Sequence, residues 1–560
     1  MKRLFFALAA MLAWANVDAR AACVPVEVRY DPIAHAVDAQ VTLPSNVDSL
    51  SLVDLEPYYR TRLWTSPDGS ARIGEATLAP THPGQRTLHL RMGVSADAPI
   101  EDRAYPPYLR FTDGTVALYT PLFLAADHAT PLCPRWAPAK GDQVIGYGHA
   151  QRTSLATDMT QPEGYVAFGQ PRVLRHGALM LVSDRGTPTW IRERIAAQVP
   201  ALVDLYTRSM GPASVPMLFV FSRPTPRGAR DYKGDHLPAA IALGLYGDAW
   251  GQVDRATADQ LTGFLAHELF HSWDSDATLG SPEGEALLAK EGGAELARIF
   301  ATAQVLGRSR QEAWTAVARS YNACLLELPH DAGIAATLAD RPQPGQMPYD
   351  CGAALMSALA LAADPADPAS GYFRLWRQLR ASHARHPQPG YRWQDLMPAD
   401  IAPSVRQSLD RAVAAPGAFA AKLVEAWTAL GLRVQHETVL DADTRRAYFG
   451  QVMFHLMASD CGGMVSFGNN PDGMRLDKPL PRCRTLRPGA RVAAIGGQSL
   501  ATGDPLALAA QVAAACRAAG EVTIDYAAED GQPAPSPSRV RCNSPLPSLP
   551  APVHLAAPDA

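Results

Sequence analysis

Lysine is scarce in this chain of 560 residues, with six against a total of 51 Lys+Arg. Neither sign of charge dominates, because 55 Asp+Glu leave a formal net charge of -4. Without a basic excess the chain is a poor match for a polyanion, so nucleic acid is not an expected partner. The signature of disorder is missing as well: 47% hydrophobic and 19% charged residues supply enough apolar material for packed cores. Beyond the first residues no stretch of the ~20 needed to span a bilayer lacks charges or breakers, so no transmembrane segment is expected in the mature chain. What remains is a globular protein long enough for three or four domains at roughly 150 residues each. Its 48 Pro and 42 Gly mark many turns and loops.

The N-terminus has the layout of an export signal. Lys2 and Arg3 supply charge, Leu4 to Ala15 an apolar run of about twelve residues, and Ala19-Arg20-Ala21 a small-residue cleavage site. Residues 1–21 are therefore expected to be removed and the mature chain to be periplasmic or secreted. Export makes the eight cysteines disulfide candidates, and they fall into neighbouring pairs: Cys23 with Cys133, Cys324 with Cys351, Cys461 with Cys483, Cys516 with Cys542. This is one of 105 connectivities. Lipoprotein anchoring at Cys23 is the alternative, although Arg20-Ala21-Ala22 lacks the aliphatic residue of a lipobox.

From Cys23 to Gln151 the segments VPVEVRY, AVDAQVTL, RTLHLRMGV and TVALYTPLFL are short and alternate with period two, which predicts a β-sandwich over 22–151 from antiparallel strands. ALMLVS, MLFVF and IALGLY predict strands, and Trp190 to Met210 a helix ending at Gly211. From Ala256 to Ala363 and again from Ser404 to Leu432 the pattern is mainly helical, giving an α+β domain over 152–435. Near residue 440 short strands and turns return, over 439–530. The Pro-rich stretch 531–560 is expected to be flexible. The fold class is multidomain α+β.

His267-Glu268-Leu269-Phe270-His271 is an H-E-x-x-H pattern inside the helical stretch ADQLTGFLAHELFHSWD. Imidazoles at i and i+4 share one helical face, so both can meet a single Zn²⁺, while Glu268 stands beside it as a proton acceptor. A catalytic zinc needs a third protein ligand and an open position, and PEGEALLAKEGGAELARIF offers Glu291 twenty residues after His271. Glu295, one turn on, is placed to accept the second ring N–H of a ligand histidine. The competing reading is that Glu283, Glu285, Glu291 and Glu295 form a solvated acidic face.

These residues resemble the gluzincin metallopeptidases, in which H-E-x-x-H on one helix is completed by a Glu in an E-G-x-x pattern on the next. Within them the chain looks most like the glycyl aminopeptidase family: HELFHSW resembles its zinc helix and LLAKEGGAELA its E-G helix. The resemblance implies an N-terminal β-domain, a thermolysin-like catalytic domain and a C-terminal PDZ-like domain, with one Zn²⁺ and a peptide substrate. Tyr349, opening YDCGAALMSALAL, is similar to the family's Y-x-K-G helix start, whose tyrosine faces the developing oxyanion; Cys351 stands where the family has Lys. The resemblance also implies an amine-holding Glu on an edge strand before the zinc helix, where this chain has Lys233-Gly234-Asp235-His236. Asp235 and His236 are the substrate-binding candidates. LRPGARVAAIGGQSL, PLALAAQVAAACRAAG and EVTIDY resemble a circularly arranged PDZ domain, with CGGMVSFG the nearest to a carboxylate-binding loop; such a module either binds a peptide end or merely packs on the catalytic domain.

The expected chemistry is peptide hydrolysis with Glu268 as general base and Tyr349 as oxyanion donor, in an aminopeptidase. The alternatives are an endopeptidase or narrow-specificity peptidase, and a non-catalytic periplasmic peptide-binding protein with a peptidase-like core.

Overall fold

The computed structural model describes residues 23–557 apart from 56–57, 95–104, 127–129, 158–160, 216, 224–230, 248, 253, 276–278, 280–283, 329–331, 341–344, 389, 437–439, 462–466, 471–472, 477–482, 488, 529–532, 544–545 and 547–548. The export signal lies outside the described residues, as does most of CGGMVSFG. The chain divides into two compact units, one of residues up to 204 with 212–272, the other of 205–211 with 273–560.

The first unit opens with two sheets that share one hydrophobic core. A six-stranded sheet runs Leu155–Ala156, Leu132–Ala137, Val24–Asp31, Ala36–Thr42, Thr87–Gly93, Trp64–Thr65. A five-stranded sheet runs His149–Gln151, Gln143–Gly146, Tyr165–Gly169, Val116–Tyr119, Tyr108–Arg110. The β region therefore continues past Gln151 to Gly169. It is also not purely antiparallel, because Val24–Asp31 pairs in parallel with Leu132–Ala137. The Cys23–Cys133 disulfide closes the head of that pair, with a Cα–Cα distance of 5.8 Å, and engages the sulfur that a lipid anchor would use.

A mixed sheet follows in the order Arg172–His176, Leu179–Ser183, Met217–Arg223, Ala240–Tyr246, Asp231–Leu237. Its inner strands LMLVS and AIALGLY are buried almost throughout, as expected of strands covered on both faces. Asp231–Leu237 is the edge, antiparallel to Ala240–Tyr246. Counting helices longer than ten residues, α1 (Thr189–Met210) precedes this sheet's second half and α2 (Arg255–Asp274) follows it. Gly211, at φ 87°, takes the left-handed conformation that ends α1.

The second unit is helical: α3 (Leu287–Val305), α4 (Arg310–Glu327), α5 (Met347–Ala363), α6 (Pro368–Arg385), α7 (Pro403–Ala414) and α8 (Phe419–Ala429). Most of α5 is buried, which makes it the central helix of the group. The chain then forms α9 (Ala442–Cys461), where the sequence reading expected strands and turns. Tyr448, Phe449, Val452, Met453, Leu456 and Met457 are buried at helical spacing, and that period decides the element.

A small sheet follows in the order Phe467–Asn470, Gly473–Leu476, Arg491–Ile495, Glu521–Tyr526, Ser538–Arg541, with α10 (Pro505–Ala519) inserted before the fourth of these. The turn Gly496-Gly497, at φ 58° and 80°, reverses the chain into Gln498–Ser499. The strand Ser538–Arg541 lies beyond residue 530, so this module runs further than expected. The Pro-rich tail is a correction too: Val553–Ala556 pairs with Arg433–His436, and Val553 and Leu555 are buried. Asn322 donates to the Val553 carbonyl at 3.0 Å and accepts from its N–H at 2.9 Å. Alternating apolar residues and backbone pairing tie down a stretch, Val553–Ala556, that itself contains no proline.

All eight cysteines are paired, as Cys23–Cys133, Cys324–Cys351, Cys461–Cys483 and Cys516–Cys542. Among the described residues no helix is long and apolar enough to cross a membrane.

Candidate metal centre

Helix α2 starts at a well-formed cap, since Asp254 accepts both the Thr257 N–H and its hydroxyl at 2.8 Å. Arg194 of α1 anchors its first turns by donating to the Thr262 hydroxyl at 2.9 Å and the Asp259 carboxylate at 2.8 Å. Leu261, Leu265, Ala266, Leu269 and Phe270 are buried, so the helix cannot rotate about its axis. The i, i+4 spacing then sets His267 and His271 side by side. Their ring centroids are 5.0 Å apart, and the residues are only 7% and 6% exposed. Glu268, half-buried, follows His267 on the same helix.

The edge strand Asp231–Leu237 presents alternate residues to α2. Tyr232 meets Phe264 edge-on with centroids 5.2 Å apart, and His236 meets His271 at 5.8 Å. Between them Gly234 is obligatory, because a Cβ there would stand 2.4 Å from Phe264 Cζ and 2.6 Å from the Ala242 oxygen. Asp235 belongs to the other face of the strand. It is exposed, and its charge acts on buried Tyr165, whose hydroxyl is pushed well above its usual range first by burial and then by neighbours that include Tyr119 and Asp235. Of the two substrate-binding candidates, His236 shares the face that α2 covers and Asp235 does not.

Glu291 lies in the first turns of α3, with its side chain 14% exposed and Lys290 Nζ 3.6 Å from Oε1. One donor atom from each of His267, His271 and Glu291 lies within 4.8 Å of the other two. Two neutral imidazoles and one carboxylate, gathered to the scale of a single coordination sphere, are the donor set a zinc ion takes with Zn–N and Zn–O distances of about 2.0–2.2 Å. These residues fit that ion. A second grouping, Asp460 with Cys461 and Cys483, does not: the two sulfurs are bonded to each other, and Asp460 accepts the Thr485 and Leu486 N–H groups.

The rest of the acidic helix is not a solvated face. Glu285 accepts the Trp393 indole N–H at 2.6 Å. Glu295 is held by Arg298 through two hydrogen bonds, one of 2.7 Å from Nε. Glu283 lies outside the described residues.

Tyr349 is half-buried in the first turn of α5. Two residues on, Cys351 is bonded to Cys324 of α4, with a Cα–Cα distance of 4.8 Å. The carboxyl of Asp350, between Tyr349 and Cys351, is raised well above the usual range by burial first, then by the charges of Glu295 and Glu327. Gly352 touches α3 directly, a contact no hydrophobic pattern announces.

No protein-family model matches the sequence, and neither does any curated protein. Among solved structures, an aminopeptidase N family protein from Idiomarina loihiensis is similar over 96% of this chain and 98% of its own, at 13% identity and a TM-score of 0.57. Aminopeptidase A of Legionella pneumophila, in complex with aspartic acid, matches 67% of this chain and 46% of its own, at 11% identity and a TM-score of 0.38. At such identity the likeness is one of fold: over nearly its whole length this chain is built like the Idiomarina aminopeptidase N family protein.

Proposed function

We propose that the protein is an exported zinc-dependent metallopeptidase that hydrolyses peptide bonds as an aminopeptidase. The observation that carries the reading is the convergence of His267, His271 and Glu291 donors within 4.8 Å of one another, with Glu268 next to His267 on the same helix. The fold shared with an aminopeptidase N family protein supports the exopeptidase form of the reaction, and four disulfides support export to an oxidising compartment.

His267, His271 and Glu291 hold the ion. When bound, zinc supplies Lewis-acid chemistry, polarising a carbonyl and lowering the pKa of water toward ~7. Glu268 accepts a proton from the attacking water and delivers it to the departing amine. Tyr349 donates its phenol hydrogen to the carbonyl oxygen as charge builds there, and His236 contacts the substrate from the edge strand. Asp235, on the other face of that strand, takes no part in this arrangement, and Glu295 supports the centre from one turn further along α3. The C-terminal module is read as PDZ-like, adding a peptide end to its sheet edge.

The test compares a free-amine dipeptide amide with its N-acetylated form. Zinc-dependent hydrolysis of the first alone is expected. Equal hydrolysis of both would replace the aminopeptidase by an endopeptidase, and no hydrolysis of either by zinc-loaded protein would sink the enzymatic reading.

A further inference from the structure

The first turn of a helix is its least constrained part, because its N–H groups have no partners within the helix. Tyr349 is the third residue of α5 and occupies that turn. Chemistry at a developing oxyanion requires the donor to be placed to a fraction of an ångström.

Two links pin this turn. Cys351 is bonded to Cys324 of α4, and both residues are completely buried. On the opposite side Gly352 abuts α3: a Cβ on it would lie 2.4 Å from the Leu288 oxygen and 2.7 Å from Gly292 Cα. Residues 351 and 352 are thus each held by a neighbouring helix, and Tyr349, half-exposed, stands just before them. By helical spacing Tyr349 shares the face of Gly352, the face turned to α3 and hence to the segment that carries Glu291.

We infer that the Cys324–Cys351 disulfide is a positioning device for Tyr349, and that full turnover needs it. The inference rests on the metallopeptidase reading above and deepens it. The cysteines touch no substrate. They fix the backbone from which the tyrosine reaches, so their loss lowers kcat and leaves substrate affinity and metal content alone.

The experiment is a double-mutant cycle in the full chain. Cys324→Ala/Cys351→Ala is made with and without Tyr349→Phe, and kcat, KM, bound zinc and the denaturant midpoint are measured for each. Expected are about a tenfold or greater fall in kcat on removing the disulfide, with KM and zinc unchanged, and no further fall when Tyr349 is already Phe. An unchanged kcat overturns the inference, as does a fall that persists in full in the Tyr349→Phe background. Where the disulfide-free chain does not fold, Cys324→Ala/Cys351→Val, which breaks the same bond and keeps more of the buried volume, is expected to give the same pattern, and an additive effect with Tyr349→Phe there overturns it. Normal kcat in Tyr349→Phe sinks this inference alone, whereas a wild-type chain that binds no zinc sinks the reading beneath it.

Discussion

Gly292 and Gly352 meet backbone to backbone: a methyl group on Gly292 would stand 2.2 Å from Gly352 Cα and 2.7 Å from the Ala353 nitrogen. This contact lets α3 and α5 cross with no side chain between them. It fixes the position of the segment that carries Glu291 relative to the turn that carries Tyr349. The two glycines are there to be small in mid-helix.

Gly292→Ala is therefore expected to force the two helices apart. Overpacking of a buried backbone contact costs about 1–3 kcal/mol. The denaturant midpoint should fall with the slope unchanged, and zinc affinity should fall with it because Glu291 is the preceding residue. Wild-type stability and affinity in this variant would mean that the crossing is not what sets the site.

Glu268→Gln keeps shape and removes the proton acceptor. Fold and bound metal are expected to match the wild type, while kcat drops by roughly 10²–10⁴. Steady-state kinetics beside metal analysis distinguishes this outcome from a general loss of structure. Activity within a few-fold of wild type would remove Glu268 from its role.

Asp350 gives a pH signature. Burial, then Glu295 and Glu327, raise its carboxyl pKa in the folded chain, with Arg298 acting the other way. The folded state thus binds more protons than the unfolded state, whose carboxyl titrates near about 3.9, so this group's contribution to stability falls as pH rises above that value. Asp350→Asn keeps the size and removes the titrating group. Its stability relative to wild type should improve from pH 4 to pH 7 in urea unfolding. A difference independent of pH would show that Asp350 is not so perturbed.

Much of this was legible in the sequence because it depends on period and spacing. His267 and His271 had to share a face, the cysteines paired by neighbourhood, and the strands ALMLVS, MLFVF and IALGLY lie where alternation and apolar runs put them. Contacts between distant elements were not legible. Gly234 against Phe264 and Gly292 against Gly352 are close approaches between elements, which no single segment's pattern encodes. Asp235 was grouped with His236 by adjacency, whereas strand alternation sends them to opposite faces. Helix α9 was missed although its apolar residues recur with helical spacing, because the segments around it read as strands.

The central claim is that three side chains from α2 and α3 hold one metal ion. Zinc per chain, measured in purified wild type, Glu268→Gln and Glu291→Ala after dialysis against metal-free buffer, tests it most directly. One equivalent in the first two and a large loss in Glu291→Ala is the predicted result. Zinc retained equally by Glu291→Ala, or absent from a wild-type chain offered the ion, would contradict the account.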